Sequence, residues 1–407
     1  MSDVLGAAVR AHRAHVIAAL AARFRDLDLA EEAFAESCAR AVTAWVPGPP
    51  DNPSGWLYRV AERCALDAIR REAVRAGATH PSPSPEPNAE DMLMGDDRLI
   101  PDERLRLIFV CCHPAIAADA RAALTLRLIC GLGTDEIARA FLLAEATLAQ
   151  RLVRAKRKIA LAGVSFEVPG PEAWAGRLDA VLSTLEIAYA HAHADAAGSG
   201  RHAGYAREMI ELTATLAAML PAEPEVHALA ATVRFAEARR PARVDAAGMM
   251  VPLAEQDPAT WDARLIAEGR RMLGKALSFA PDQGPRTLQA LLHAEWCARP
   301  SLAEPPPWPA IFAIYDALLA RRDDPITRLN RAVAVAEVLG PRAALEEVDA
   351  LAHDGLAASL PYHAVRADLL ARLGFGDAAI QAYGAALALQ PETAERLWLE
   401  QRRASIR

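Results

Sequence analysis

Residues 131–161 read GLGTDEIARAFLLAEATLAQRLVRAKRKIAL, and their apolar spacing predicts two helices joined by a tight turn. Gly131-Leu132-Gly133 forms a turn, and Thr134-Asp135-Glu136 caps the helix that follows, with acids in its first turn. Ile137, Ala138 and Phe141 make that helix's apolar stripe, and Leu142-Leu143-Ala144 supplies the next turn. The second helix runs from Glu145 to about Leu161, with Leu148, Leu152, Ala155 and Ile159 on one narrow face. At about 100° per residue, Gln150, Val153, Arg154 and Arg157 point the opposite way. Arg151, Lys156 and Lys158 flank them. A short helix, a turn and a second helix with a basic outward face make a helix-turn-helix, whose second helix fits the major groove. Gln150 and Arg154 are placed to reach base edges, while the flanking cations neutralise phosphates. A basic surface helix in an αα-hairpin is the competing reading of the same local pattern.

Downstream, the stretch 163–171 (GVSFEVPGP) stops this helix with glycine and proline. Further on, Gly374-Phe375-Gly376-Asp377 leads into a helix with Ala379, Tyr383 and Ala386, closed by Pro391. This is the spacing of the second half of a tetratricopeptide repeat, and Ala276 to Pro281 repeats the closing signature more weakly. The pattern predicts stacked helical hairpins that bury a core only through their neighbours, an architecture that usually binds peptides or docks on other domains.

Upstream, residues 80–101 (HPSPSPEPNAEDMLMGDDRLIP) are too poor in apolar residues to form a core. Seven acids face one base, Arg98, between Glu86 and Glu103. Before this linker, an amphipathic stretch from Leu29 to Trp45 places Glu31, Glu32, Glu36 and Arg40 on its polar side. Asn52-Pro53 then caps a further helix, which carries Leu57, Val60, Cys64 and Ala68 on one side and Arg59, Arg63, Arg70, Arg71 and Arg75 outside it.

Composition sets the class. The 407 residues are 53 % hydrophobic but only 5 % aromatic, which favours helices over a β-sandwich. No uncharged apolar run reaches the roughly 18–20 residues of a membrane span. Arg10, His12, Arg13 and His15 interrupt any signal-peptide core, and six cysteines make no disulfide framework, so a cytoplasmic protein is expected. Residues 1–165 hold 21 basic and 21 acidic residues, so the net −7 lies entirely in 166–407. The first part is therefore the candidate for contacting nucleic acid.

The order of these pieces resembles the extracytoplasmic-function (ECF) sigma factors of bacterial RNA polymerase, in the subgroup with a long C-terminal helical extension. The run Asp51 to Ala61, continued by Ala65 to Arg71, is similar to the family's promoter-melting helix. Leu107 to Lys158 is similar to its domain reading the −35 element, and further likenesses fall at Ala238 to Arg243, Trp261 to Gly269 and Leu329 to Val335. The resemblance implies an all-α chain: sigma region 2 at 1–80, a linker at 81–103, sigma region 4 at 104–165 and a tetratricopeptide-like α-solenoid at 166–407.

It further implies that Glu31, Glu32 and Glu36 grip core RNA polymerase, which offers its β′ clamp helices and β flap as partners. Trp56, Arg59, Arg63 and Arg70 would meet the −10 element of promoter DNA. Gln150, Arg151, Val153, Arg154, Arg157 and Lys158 would meet the −35 element. A regulatory protein or peptide on the extension is the remaining partner, and neither a membrane nor a cofactor is expected. The alternative is a stand-alone helix-turn-helix regulator with a peptide-sensing repeat domain.

Two clusters invite other chemistry. Cys111-Cys112-His113 reads as structural, with a thiol switch or a metal as alternatives, since adjacent cysteines do not easily share one tetrahedral ion. His191, His193 and Asp195 read as a polar helix end rather than a metal site, because only His191 and Asp195 share a face. No nucleophile elbow, P-loop or dinucleotide fingerprint occurs, so an enzyme is not expected.

Overall fold

Caps and breakers cut the chain into successive helices, those at Asn52 and Gly131 falling where the sequence places them. The computed structural model describes residues 2–75, 103–161, 171–194 and 203–406, apart from positions 47, 114, 130, 142, 280–281 and 354–355. The Pro/Ser-rich linker lies outside the described residues except for Glu103. Among the described residues the fold is helical throughout, and its one β-type feature is an isolated bridge between Val244 and Met250.

Helices α1 (Ser2–Phe24), α2 (Leu27–Ala44) and α3 (Pro53–Arg75) come first. Arg25, in the left-handed region at φ 55°, turns the chain, and the Asp26 carboxylate accepts the N–H groups of Asp28 at 2.9 Å and Leu29 at 3.0 Å. This cap starts α2 two residues before the apolar pattern does. Asn52 caps α3 as predicted, its Oδ1 accepting the Gly55 N–H at 2.9 Å. The three helices pack on one another, with Ile17, Leu20, Phe34 and Leu57 fully buried.

Next come α4 (Glu103–Cys111), α5 (Ala118–Leu128), α6 (Thr134–Ala140) and α7 (Glu145–Leu161). Helices α5, α6 and α7 pack together, while α4 lies against α1. The predicted stripe of α7 is buried throughout, at Leu148, Leu152, Ala155 and Ile159. Two more helices, α8 (Pro171–Ala194) and α9 (Ala203–Met219), follow. Val181, Leu182 and Leu185 of α8 are buried, and α9 contacts α1 and α4. The stretch 163–170 thus punctuates the chain without closing its first core: one compact unit comprises Met1–His193 with Gly200–Met219.

The second unit, Ala194–Ser199 with Leu220–Arg407, is an α-solenoid. Its helices are α10 (Pro224–Ala238), α11 (Ala263–Phe279), α12 (Pro285–Ala298), α13 (Trp308–Arg321) and α14 (Pro325–Val338), then α15 (Pro341–Ala350), α16 (Leu360–Arg372), α17 (Gly376–Ala388) and α18 (Thr393–Ala404). Each packs on helices one or two along the chain, α12 most closely on α10, the local logic of a solenoid. The core passes along as successive clusters, from Phe235, Leu273 and Cys297 to Val335, Val348 and Tyr362, then to Leu370, Tyr383 and Leu399. Ala379, Tyr383 and Ala386, singled out by their spacing, are all buried. The irregular segment after α10 returns to the last helix: the Met250 N–H donates to the Ala394 carbonyl at 3.0 Å, and Arg402 pairs with Glu255 at 2.6 Å.

Gly269 shows how tightly the first solenoid helices meet. A Cβ there would lie 2.8 Å from the Phe235 ring, which is itself fully buried. Gly269→Ala is expected to lower stability by roughly 1–3 kcal/mol through overpacking, read as a shifted urea midpoint.

Candidate nucleic-acid interface

Burying the apolar stripe of α7 dictates where its other side chains go. Gln150, Arg154, Arg157 and Lys158 are exposed, and Val153 is 65 % exposed. Arg154 and Arg157 make no hydrogen bond or ion pair among the described residues, so their guanidinium groups are available to an incoming anion. Lys158 Nζ reaches only the Ala115 carbonyl, at 3.4 Å. Arg151 is half-buried. The turn before α6 depends on Gly131 at φ +69°, where the Arg13 side chain from α1 lies close enough to crowd any Cβ.

Lys156 behaves differently from its neighbours, and the pattern of basic residues gave no sign of it. It turns to α2, where Nζ meets Glu31 Oε2 at 2.5 Å and Asp28 Oδ1 at 2.7 Å, and the side chain is 14 % exposed. The Glu31 carboxylate also receives Arg13 at 3.2 Å and Arg127 Nε at 3.2 Å. Cations from α1, α5 and α7 therefore converge on one α2 carboxylate. Burial works against the charge on Lys156, but Glu31 and Asp28 outweigh it and hold its pKa above the ordinary lysine value. Burial dominates at Arg13 and lowers its pKa despite Glu31. Lys156 is thus an anchor between α7 and α2 in this structure rather than a solvated flank. Val153 and Arg157 line a cleft of about 290 Å³ beside it, bounded by Arg25 to Asp28.

The three acids of α2 separate. Glu31 is the 13 %-exposed hub just described, whereas Glu32 and Glu36 are exposed, with Glu36 paired to Arg40 at 3.0 Å. Glu32 and Glu36 line a cleft of about 670 Å³, whose α3 side brings Asp67, Arg70 and Arg71. On α3, Arg59, Arg63 and Arg70 are exposed, and Arg70 lies 3.6 Å from Asp67. Trp56 is half-buried, in an edge contact with Trp45 at 5.3 Å between ring centres. The α3 guanidinium groups thus form a row on the outside of the helix.

Cys111 and Cys112 are buried, and the Cys112 thiol donates to Thr184 Oγ1 at 3.4 Å. Burial pushes the Cys112 thiol up to about 11 and that of Cys111 well above 9.0. Neither is a thiolate near neutral pH, so alkylation of the native protein at pH 8 is expected to spare both, while unfolded chains react fully, as counted by peptide mass. Because its pKa is raised, the Cys112 thiol's contribution to stability is complete below pH 9 and falls as pH rises through about 11. The His191 and His193 side chains, and Asp195, lie outside the described residues. Among the described residues no group of three or more His, Cys, Asp or Glu is placed to hold a metal, and no helix is long and apolar enough to cross a membrane.

Three families match. Residues 8–75 match sigma-70 region 2, residues 106–159 match sigma-70 region 4, and residues 177–277 match a family of unknown function, DUF6596. No solved structure matches. The "Probable ECF RNA polymerase sigma factor SigI" of Mycobacterium tuberculosis is 29 % identical over 163 residues, which span 39 % of this chain and 54 % of that protein. Two sigma-70 domains, with the helix-turn-helix on the second, indicate an ECF-type sigma factor, a protein of transcription initiation. More particularly, the chain belongs to the family of the "Uncharacterized protein R00370" of Rhizobium meliloti, with 37 % identity over 395 residues that span 95 % of this chain and 92 % of that protein.

Proposed function

We propose that this protein is a cytoplasmic promoter-specificity subunit that joins core RNA polymerase and selects promoters by both of its sigma domains. One observation carries the reading: the apolar stripe of α7 is fully packed while Gln150, Val153, Arg154 and Arg157 stay open to solvent. Region 2 is assigned to 1–80, the linker to 81–103, region 4 to 104–165 and a tetratricopeptide-like modulating extension to 166–407.

In this reading Gln150, Val153 and Arg154 face base edges of the −35 element, and Arg151, Arg157 and Lys158 face phosphates. The α3 row of Arg59, Arg63 and Arg70 tracks the strand freed at the −10 element, with Trp56 as a stacking surface. Glu32 and Glu36 offer exposed carboxylates to the β′ clamp helices, and region 4 meets the β flap. Glu31 and Lys156 are tied together in the free protein. The −10 and −35 elements lie apart on the duplex, so this tie parts when both domains engage them.

The test is copurification of the full chain with core polymerase, followed by run-off transcription from the gene's own upstream region. A stable complex and a polymerase-dependent transcript are expected. Tight binding to that duplex without polymerase, with no transcript on adding it, would instead establish a stand-alone regulator.

A further inference from the structure

The solenoid unit holds a cleft that the sigma-factor reading leaves unused. It has a volume of about 490 Å³, within the roughly 300–1,000 Å³ of small-molecule sites. Its walls come from α12, α13 and α14, and the irregular segment at Pro252 to Ala254 closes one side. That segment is held from behind, where Arg299 donates to the Ala254 carbonyl at 2.6 Å. Trp296 and Trp308 meet edge to face in the wall, 5.2 Å between ring centres, beside Ile311 and Leu292.

Arg239, from the end of α10, also lines this cleft. It is only 6 % exposed, yet among the described residues none of its partners is a carboxylate: they are the His293 carbonyl at 3.4 Å, His293 Nδ1 at 2.7 Å and the Cys297 sulfur at 3.5 Å. A guanidinium only donates, so His293 Nδ1 accepts, and an imidazole supplies no negative charge to offset Arg239. The nearest acid in sequence, Glu237, is taken by Arg240 at 2.8 Å. None of the residues lining the cleft is Asp or Glu. A buried cation without an anion is costly, and an anionic ligand removes the cost.

Of the other polar groups, the Thr327 hydroxyl is held by Asp324 at 2.6 Å, while three more face the cleft. Tyr315 lines the cleft, burial alone pushes its hydroxyl up to about 12, and that hydroxyl has no hydrogen-bond partner among the described residues. The side-chain amides of Gln289 and Asn330 line the same space without partners among the described residues. Apolar walls with a few free polar groups are the make-up of a ligand site.

We infer that this cleft binds a small organic acid, with its carboxylate on Arg239 and its apolar body against Trp296 and Trp308. A free acid suits the site better than a peptide. The lining residues of α12, α13 and α14, closed off by Arg239 and Pro252 to Ala254, form one compartment, whereas solenoids hold peptides along an extended concave face.

The probe is 3-phenylpropionate, titrated into the full chain by calorimetry, with 3-phenylpropionamide as the uncharged twin. Saturable one-to-one binding of the acid is expected, with the amide at least about tenfold weaker. Tryptophan fluorescence should change with the same affinity, and the acid should raise the unfolding temperature. Arg239→Gln should abolish the preference for acid over amide. Should that variant fail to fold, Trp308→Leu should weaken both probes while retaining the preference. Equal binding of acid and amide overturns the inference, as does no binding at ~5 mM acid, a concentration that detects even weak millimolar sites. Binding only by a peptide ending in a phenylalanine carboxylate also overturns it, in favour of a peptide groove.

Discussion

Glu31→Ala is expected to destabilise the first unit by about 2–4 kcal/mol, seen as a lowered urea midpoint with the slope unchanged. The carboxylate it removes is shared by Arg13, Arg127 and Lys156, which come from three different helices. Three half-buried cations would then face one another without an anion, apart from the Asp28 contact to Lys156. Losing one partner of a fully buried pair costs roughly 3–5 kcal/mol, and partial exposure of this cluster reduces that figure. Glu32→Ala, one residue along on the exposed side, should stay within about 0.5 kcal/mol of wild type. The pH dependence has a definite sign. The folded-state pKa of Lys156 lies above its ordinary 10.5, so its contribution is complete below that pH and disappears as pH rises through the folded value. The same loss should be absent in Lys156→Met, which carries no titrating group there.

Arg154→Ala combined with Arg157→Ala is expected to abolish promoter-dependent transcription while leaving the fold and polymerase binding intact. Both side chains are exposed, so removing them exposes no core. A bidentate arginine contact to a base is worth roughly 1–3 kcal/mol, a phosphate contact adds a salt-sensitive increment, and the pair together predicts a loss of at least about 100-fold. Run-off transcription with core polymerase reads the loss, and circular dichroism checks the fold. The variants separate by role: Arg157→Ala should weaken all promoters alike and flatten the salt dependence, while Arg154→Ala should also relax the choice of −35 sequence. Unchanged transcription in the double variant would show that α7 does not read DNA.

The candidate interface on α7 was legible because a packed helix leaves few choices. Once Leu148, Leu152, Ala155 and Ile159 are committed to the core, a rotation of 100° per residue fixes which side chains face out. Local chemistry gave the caps equally well, as at Asn52 and in the turn at Gly131. The extent of the first unit was less legible. A Gly/Pro break signals the end of a helix but carries no information about what packs on what, and α8 and α9 return to the first core after it. The cleft at Arg239 was hidden for a related reason, since its walls come from segments more than fifty residues apart.

From the sequence alone come the all-helical class, the capped helix after Asn52, the helix-turn-helix and the stacked hairpins, because all of these follow from periodicity and from residues within one or two turns of each other. Tertiary structure alone decided that Lys156 is an anchor and not a free cation, that Glu31 parts company with Glu32 and Glu36, and that Arg239 is buried with no carboxylate partner among the described residues. Each of those outcomes depends on a charge meeting, or failing to meet, an opposite charge from a distant segment, and Coulomb interactions in a partly dry interior are set by distance in space and not by distance along the chain.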